Sequence, residues 1–156
     1  MQCNICGSYE FEAGFKGRLT NGIAPMCSGC KGVERHRIIR SIYEPLRPLI
    51  SEWRVLQFAP DSSVDRNWFK DYVGSSYGGA NSLDMMDTKL PDASFDLVLS
   101  NHVLEHVQDD FLALDESLRL VGDSGVVHVC VPTPTYRWAS EDWGFADPNI
   151  NEHYRD

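Results

Sequence analysis

Four of the five cysteines fall as Cys3-x2-Cys6 and Cys27-x2-Cys30, with 20 residues between the pairs. Two turn-forming pairs at that separation aim four thiolates at one point, which suits a tetrahedral Zn²⁺. Gly7 follows the first pair and Gly32 lies just past the second, where metal-binding knuckles need close backbone approach. Between the pairs, Tyr9, Phe11 and Phe15 alternate with polar residues and Gly14, Gly17 and Gly22 supply turns, so a short hairpin is expected. Two disulfides would use the same residues. The N-terminus lacks a basic stretch followed by an apolar one, so no secretory signal is read and a cytoplasmic location is expected. The metal then replaces a core that some 32 residues are too few to build.

The remaining chain is of a different character. Residues 1–50 carry seven Lys/Arg against four Asp/Glu, whereas residues 51–156 carry seven against 19. The acidity of the whole, a formal charge of −9, thus belongs to the second part and argues against nucleic acid or anionic membrane as partner. No apolar run approaches the roughly 20 residues of a membrane span.

A helix is expected from Val33 to Tyr43, with Ile38, Ile39, Ile42 and Tyr43 as its apolar stripe and Arg35, Arg37 and Arg40 off it. Glu34-Arg35-His36-Arg37 reads either as a solvated helix start or as a basic cluster facing a cleft. Strands and helices then alternate, the pattern of a parallel sheet covered by helices. Strands are expected at 54–58, 72–77, near 82–85, 95–100 and 126–131. A helix is expected from Ser63 to Tyr72. Another runs from Asp109 to Val121, with Phe111, Leu114, Leu118 and Val121 on one face. Cys130 is read as a small core residue.

The run Phe95-Asp96-Leu97-Val98-Leu99-Ser100-Asn101-His102-Val103-Leu104-Glu105-His106-Val107 resembles the fourth-strand motif of class I S-adenosylmethionine (SAM)-dependent methyltransferases, in the group termed type 11. Val121-Gly122-Asp123-Ser124-Gly125-Val126 is similar to that group's turn into strand five. Cys27-Ser28-Gly29-Cys30-Lys31-Gly32-Val33-Glu34-Arg35-His36-Arg37 and Phe58-Ala59-Pro60-Asp61 resemble a subset with an N-terminal zinc ribbon of four cysteines.

That resemblance implies an α/β chain: a zinc ribbon over residues 1–32, a linking helix over 33–50 and a Rossmann-like methyltransferase sheet over 51–156. The sheet is expected to stop after strand five, short of the family's last strands. Strand five is then an edge through which a homodimer could form. The cofactor implied is SAM beside structural Zn²⁺ on Cys3, Cys6, Cys27 and Cys30. By resemblance, Phe58, Ala59, Pro60 and Asp61 pass under the methionyl part, Asp61 accepting from its ammonium or merely capping the turn. Ser76 takes the place of the acidic ribose ligand. Asp84 would bind the adenine amino group with Met85 beside the ring, and Asn101 and His102 would line the pocket. No nucleophile is needed; His102 and His106 are the candidate bases. Pro132 to Trp138 and Trp143 to Phe145 are the expected acceptor loop, with a small-molecule acceptor. The other reading is a non-catalytic module in which ribbon and degenerate methyltransferase fold bind a protein partner.

Overall fold

The computed structural model describes residues 1–132; the expected acceptor loop beyond Pro132 and the closing segment lie outside the described residues. Contacts group the chain into two units, one of Met1–Glu52 with Asp61–Asp71, the other of Trp53–Pro60 with the chain from Tyr72 onward.

In the first unit, β1 (Phe11–Glu12) and β2 (Met26–Cys27) form the expected antiparallel hairpin, with Phe11 opposite Cys27 and Glu12 opposite Met26. Strands of two residues bury almost nothing, so the pairing depends on what holds its ends. One end carries the cysteines. Toward the other, Arg18 donates from both terminal nitrogens to Glu34, at 2.7 and 3.0 Å, and Thr20 Oγ1 donates to the same carboxylate at 2.7 Å. Glu34 opens helix α1 (Glu34–Tyr43), and the Arg18 guanidinium holds its carboxyl down at about 2.

Helix α1 keeps only half of its expected stripe. Ile39 and Tyr43 are buried, whereas Ile38 and Ile42 are 59% and 49% exposed. Off that stripe, Arg40 stacks over the Trp68 ring, 4.1 Å from its centroid. A short helix, α2 (Arg47–Ile50), follows and buries Ile50.

The segment expected as a helix from Ser63 to Tyr72 contains only one tight turn, Arg66–Trp68. Two aspartates explain it. Asp61 Oδ1 accepts from the Ser63 N–H at 2.7 Å and Asp65 Oδ1 from the Asn67 N–H at 2.9 Å. Such local side-chain bonds compete with the helical ladder.

The second unit is built on a four-stranded sheet of β3 (Arg54–Phe58), β4 (Asp71–Ser75), β5 (Leu97–Asn101) and β6 (Val126–Cys130), ordered β4-β3-β5-β6. β5 runs parallel to both β3 and β6. Its five residues are all buried, as a central strand covered on both faces requires. The strand expected near 82–85 is absent. There Asp84 Oδ1 accepts from the Met86 N–H at 2.9 Å, again a local turn in place of a ladder, and Met85 is sent into the core.

Helix α3 (Asp110–Val121) begins where expected, with Asp109 accepting from the Leu112 N–H at 3.0 Å, but packs through another face. Ala113, Ser117, Leu120 and Val121 are buried, while Phe111 and Leu118 are 76% and 57% exposed. The small Ala113 and Ser117 allow close approach, and Ser117 satisfies its hydroxyl on Ala113 O at 2.8 Å. Leu56, Phe58, Met85, Phe95, Val98, Ala113, Leu120 and Val121 make one core.

Candidate functional site

The chain leaves β3 toward β4 on one side of the sheet and resumes at β5 and β6 on the other. The order therefore reverses between β3 and β5, and an open parallel sheet binds ligands in the crevice beyond the strand ends at that place. Phe58, the last residue of β3, pairs with Ser100, so Ala59 follows the last paired residue at the crevice. Both strands leave the sheet abruptly. Ala59 and His102, each one residue past its strand, adopt left-handed φ of 48° and 56°. The Ala59 N–H donates to Ser75 O at 2.8 Å, and the His102 N–H to Cys130 O at 2.7 Å.

Most of the residues expected to bind the donor belong to this unit. Phe58 and Met85 are buried in the core, and Ser100 Oγ reaches Met85 Sδ at 3.7 Å. Asn101 is buried; Ala59, Pro60, Ser76 and Asp84 are exposed. Ser76 lies just past the end of β4, where the buried Ser75 hydroxyl accepts from the Leu83 N–H at 2.9 Å.

Asp61 groups with the first unit instead. There His36 lies between two consecutive loop residues, with Nε2 3.6 Å from Asp61 Oδ2 and Nδ1 3.3 Å from Ser62 Oγ. Burial pushes the His36 pKa below its ordinary value, with Asp61 opposing. The basic motif on α1 thus places its histidine against Asp61 and Ser62 of its own unit, a contact that sequence reasoning did not assign.

A second missed contact explains how the turn manages without glycines. A Cβ on Gly74 in β4 would lie 2.7 Å from Pro60 Cγ, so the space is opened in the neighbouring strand, not in the loop. The third missed residue is Glu105. Both of its carboxylate oxygens are buried with no hydrogen bond, while Oε1 lies 3.4 Å from His102 Nδ1 and 3.9 Å from His106 Nε2.

In the first unit the four cysteines converge. Their sulfurs all lie within 4.8 Å of one another, with Cys3 to Cys30 at 3.7 Å and Cys6 to Cys27 at 3.5 Å. Zn–S bonds of about 2.3 Å in a tetrahedron require sulfur separations of about 3.8 Å, so the donor set fits a zinc ion with little adjustment. No disulfide is formed among the described cysteines. Gly7 adopts φ 77°, and a Cβ on Gly32 would meet Ile5 Cδ1 at 2.8 Å, so both knuckle glycines are required by backbone shape or space. The Cys30 backbone N–H brings the Cys27 thiol down to about 6, whereas burial pushes Cys30 up to about 12.

The concavity beside Trp68, about 500 Å³ and lined by Glu44, Pro45, Arg47 and Pro48 among others, lies in the first unit and includes none of the expected site residues.

Residues 69–129, from the end of the first unit's loop through α3 into β6, match the family model described as a methyltransferase domain. Among solved structures, the trans-methyltransferase CalH, in complex with SAH, is 12% identical at a TM-score of 0.46, covering 61% of this chain and 38% of its own. A SAM-dependent methyltransferase from Thermotoga maritima, described as a possible histamine N-methyltransferase, is 20% identical at a TM-score of 0.41, covering 62% of this chain and 55% of its own. The chain thus spans well under two thirds of the length of either protein. No curated protein matches it.

Proposed function

We propose that the chain is a SAM-dependent methyltransferase acting on a small-molecule acceptor, with one structural zinc. The observation that carries the reading is the methyltransferase-domain match over residues 69–129. It coincides with a parallel sheet whose order reverses between β3 and β5. The sulfonium of SAM supplies an activated methyl group, so the protein's work is to orient the acceptor in line and exclude water. In this reading Phe58, Ala59 and Pro60 run beneath the methionyl part. Ser76 bonds a ribose hydroxyl, Asp84 takes the adenine amino group beside Met85, and Asn101 and His102 line the pocket.

Titration of the zinc-loaded chain with S-adenosylhomocysteine in a calorimeter tests it. Saturable heat at one ligand per chain is expected; none at millimolar ligand would overturn the donor site. The glycine-free Ala59-Pro60 turn is what favours the competing reading, a protein-binding module without catalysis, which forecasts that null titration.

Zinc on Cys3, Cys6, Cys27 and Cys30 and a cytoplasmic location belong together here, because four free thiols persist in a reducing compartment. No described helix is long and apolar enough to cross a membrane. Among the described residues β6 is an edge of the sheet, and pairing of a second copy along it completes the reading. A strict monomer in sedimentation at high concentration would remove that last element alone.

A further inference from the structure

Apolar side chains scattered singly on a surface need no explanation, whereas a continuous row of them marks a contact. The first unit carries such a row. Helix α1 passes through a single tight turn, Glu44–Leu46, into α2, and Glu44, Leu46 and Ser51 all keep right-handed helical backbone. Pro45 and Pro48 do not interrupt that path, because each stands in the first turn of its short element, where no N–H is needed for an intrahelical bond. Ile38, Ile42, Leu46 and Leu49 follow one another along it at helical spacings of four, four and three residues. All four are between 38% and 72% exposed, while Ile39, Tyr43 and Ile50 of the same path are buried. The buried three fix the path to its own unit, so the exposed four are surplus to that packing.

Two properties of the row say what covers it. Its spacing is nearly the same read from either end, about a midpoint between Ile42 and Leu46. An antiparallel copy turned about that midpoint sets Ile38 against Leu49 and Ile42 against Leu46, the self-complementarity that a two-fold contact requires. The flanking charges are opposite as well. Arg35 lies three residues before Ile38, and Glu52 three residues after Leu49. Among the described residues Arg35 has no ion pair, and its Nε is buried without a hydrogen bond. The Glu52 side chain is 81% exposed and pairs with Lys70 at 3.6 Å, an exposed pair of little strength that leaves the carboxylate free to turn. The same two-fold operation brings Arg35 of each copy toward Glu52 of the partner subunit. A uniformly acidic or basic segment would match one end of the row and be repelled at the other.

We infer that the row from Ile38 to Leu49 is a contact between two copies of this chain related by a two-fold axis, closed at both ends by Arg35 of one copy and Glu52 of the partner subunit. The contact lies wholly in the first unit, is separate from pairing along β6, and does not depend on the methyltransferase reading. Four apolar anchors are few beside the roughly 20–30 residues a side of a standard interface, so the association is concentration-dependent.

Sedimentation equilibrium of the full zinc-loaded chain over a range of concentrations tests it. The wild type should associate, and Ile42→Glu, at a half-exposed position that the folded chain tolerates, should halve the limiting mass. Arg35→Glu and Glu52→Arg, each alone, put like charges together at both ends and should each weaken association by about tenfold or more. Combined in one chain they exchange the two ends and should restore it. That rescue decides the matter, because a substitution that merely disturbs folding is not repaired by a second one elsewhere. A strictly monomeric wild type overturns the inference, as does association that Ile42→Glu leaves intact, which assigns it to β6 or another face. A double variant no better associated than its two singles overturns the pairing of Arg35 with Glu52 and with it the two-fold register.

Discussion

Ala59 and His102 both adopt left-handed backbone, φ 48° and 56°, one residue past the carboxyl ends of neighbouring parallel strands. Each is a side-chain-bearing residue where the polypeptide prefers glycine, at a cost of roughly 1–2 kcal/mol. Ala59 carries no polar group that would repay that cost, so it isolates the backbone term. Ala59→Gly should stabilise the fold by about 0.5–1 kcal/mol, the relief of strain less the added freedom of the unfolded chain. Urea unfolding measures it, and a midpoint that falls would show that the conformation carries no strain.

Gly74 and Pro60 make the reciprocal case. The glycine's backbone is ordinary, but its missing Cβ leaves room for a proline ring that has no freedom to swing aside. Gly74→Ala should cost about 1–3 kcal/mol and displace the loop after β3. The expected signature is a lower urea midpoint together with weaker S-adenosylhomocysteine heat. Unchanged values for both would mean that the ring accommodates the methyl group.

Glu116 supplies a pH dependence. It accepts from Arg119 Nε and Nη2, both at 2.7 Å, and from the Thr88 N–H and hydroxyl at 2.8 and 2.5 Å; Arg119 also reaches Asp92. With Arg119 as the main cause and Thr88 assisting, its carboxyl is held down at about 2, below the ordinary value of 4.5. A carboxyl depressed in the folded state stabilises above its unfolded pKa, and that stability fades as pH falls toward the folded value. Glu116→Gln should therefore cost about 1–2 kcal/mol at neutral pH, allowing for the partly exposed arginine, and nearly nothing near pH 2. An equal loss at both ends of that window would assign the effect to packing.

Much of this architecture is legible in the chain because its signals are local or periodic. The cysteine spacing foretells one four-sulfur cluster, and the apolar run through Leu97, Val98 and Leu99 foretells the central strand. The failures have a common physical origin. Asp61, Asp65 and Asp84 each bind a backbone N–H two residues on, which hydrophobic pattern does not report and which removes an expected helix and an expected strand. On α3 the buried face is chosen by the small Ala113 and Ser117, so ranking faces by bulk picks Phe111 and Leu118 wrongly. The contacts of His36 and Gly74 depend on residues distant in sequence. Gly74, a glycine inside a strand, left the plainest trace of these.

The hairpin of the first unit tests the zinc assignment most sharply. β1 and β2 pair through only two residues each, far short of what an isolated hairpin needs in water. Arg18 and Thr20 hold the finger to α1 through exposed hydrogen bonds, which are worth little alone. The sulfur cluster must then carry the pairing of Phe11 with Cys27, and purified protein should contain about one zinc per chain. Chelation should collapse the amide dispersion of Phe11, Glu12 and Met26 while leaving β5 protected, and added zinc should restore it. Cys27→Ser should lose the metal along with that dispersion. A serine variant that keeps stoichiometric zinc would show that the ion is held by other ligands, and a hairpin that survives chelation would show that the metal is not what supports it.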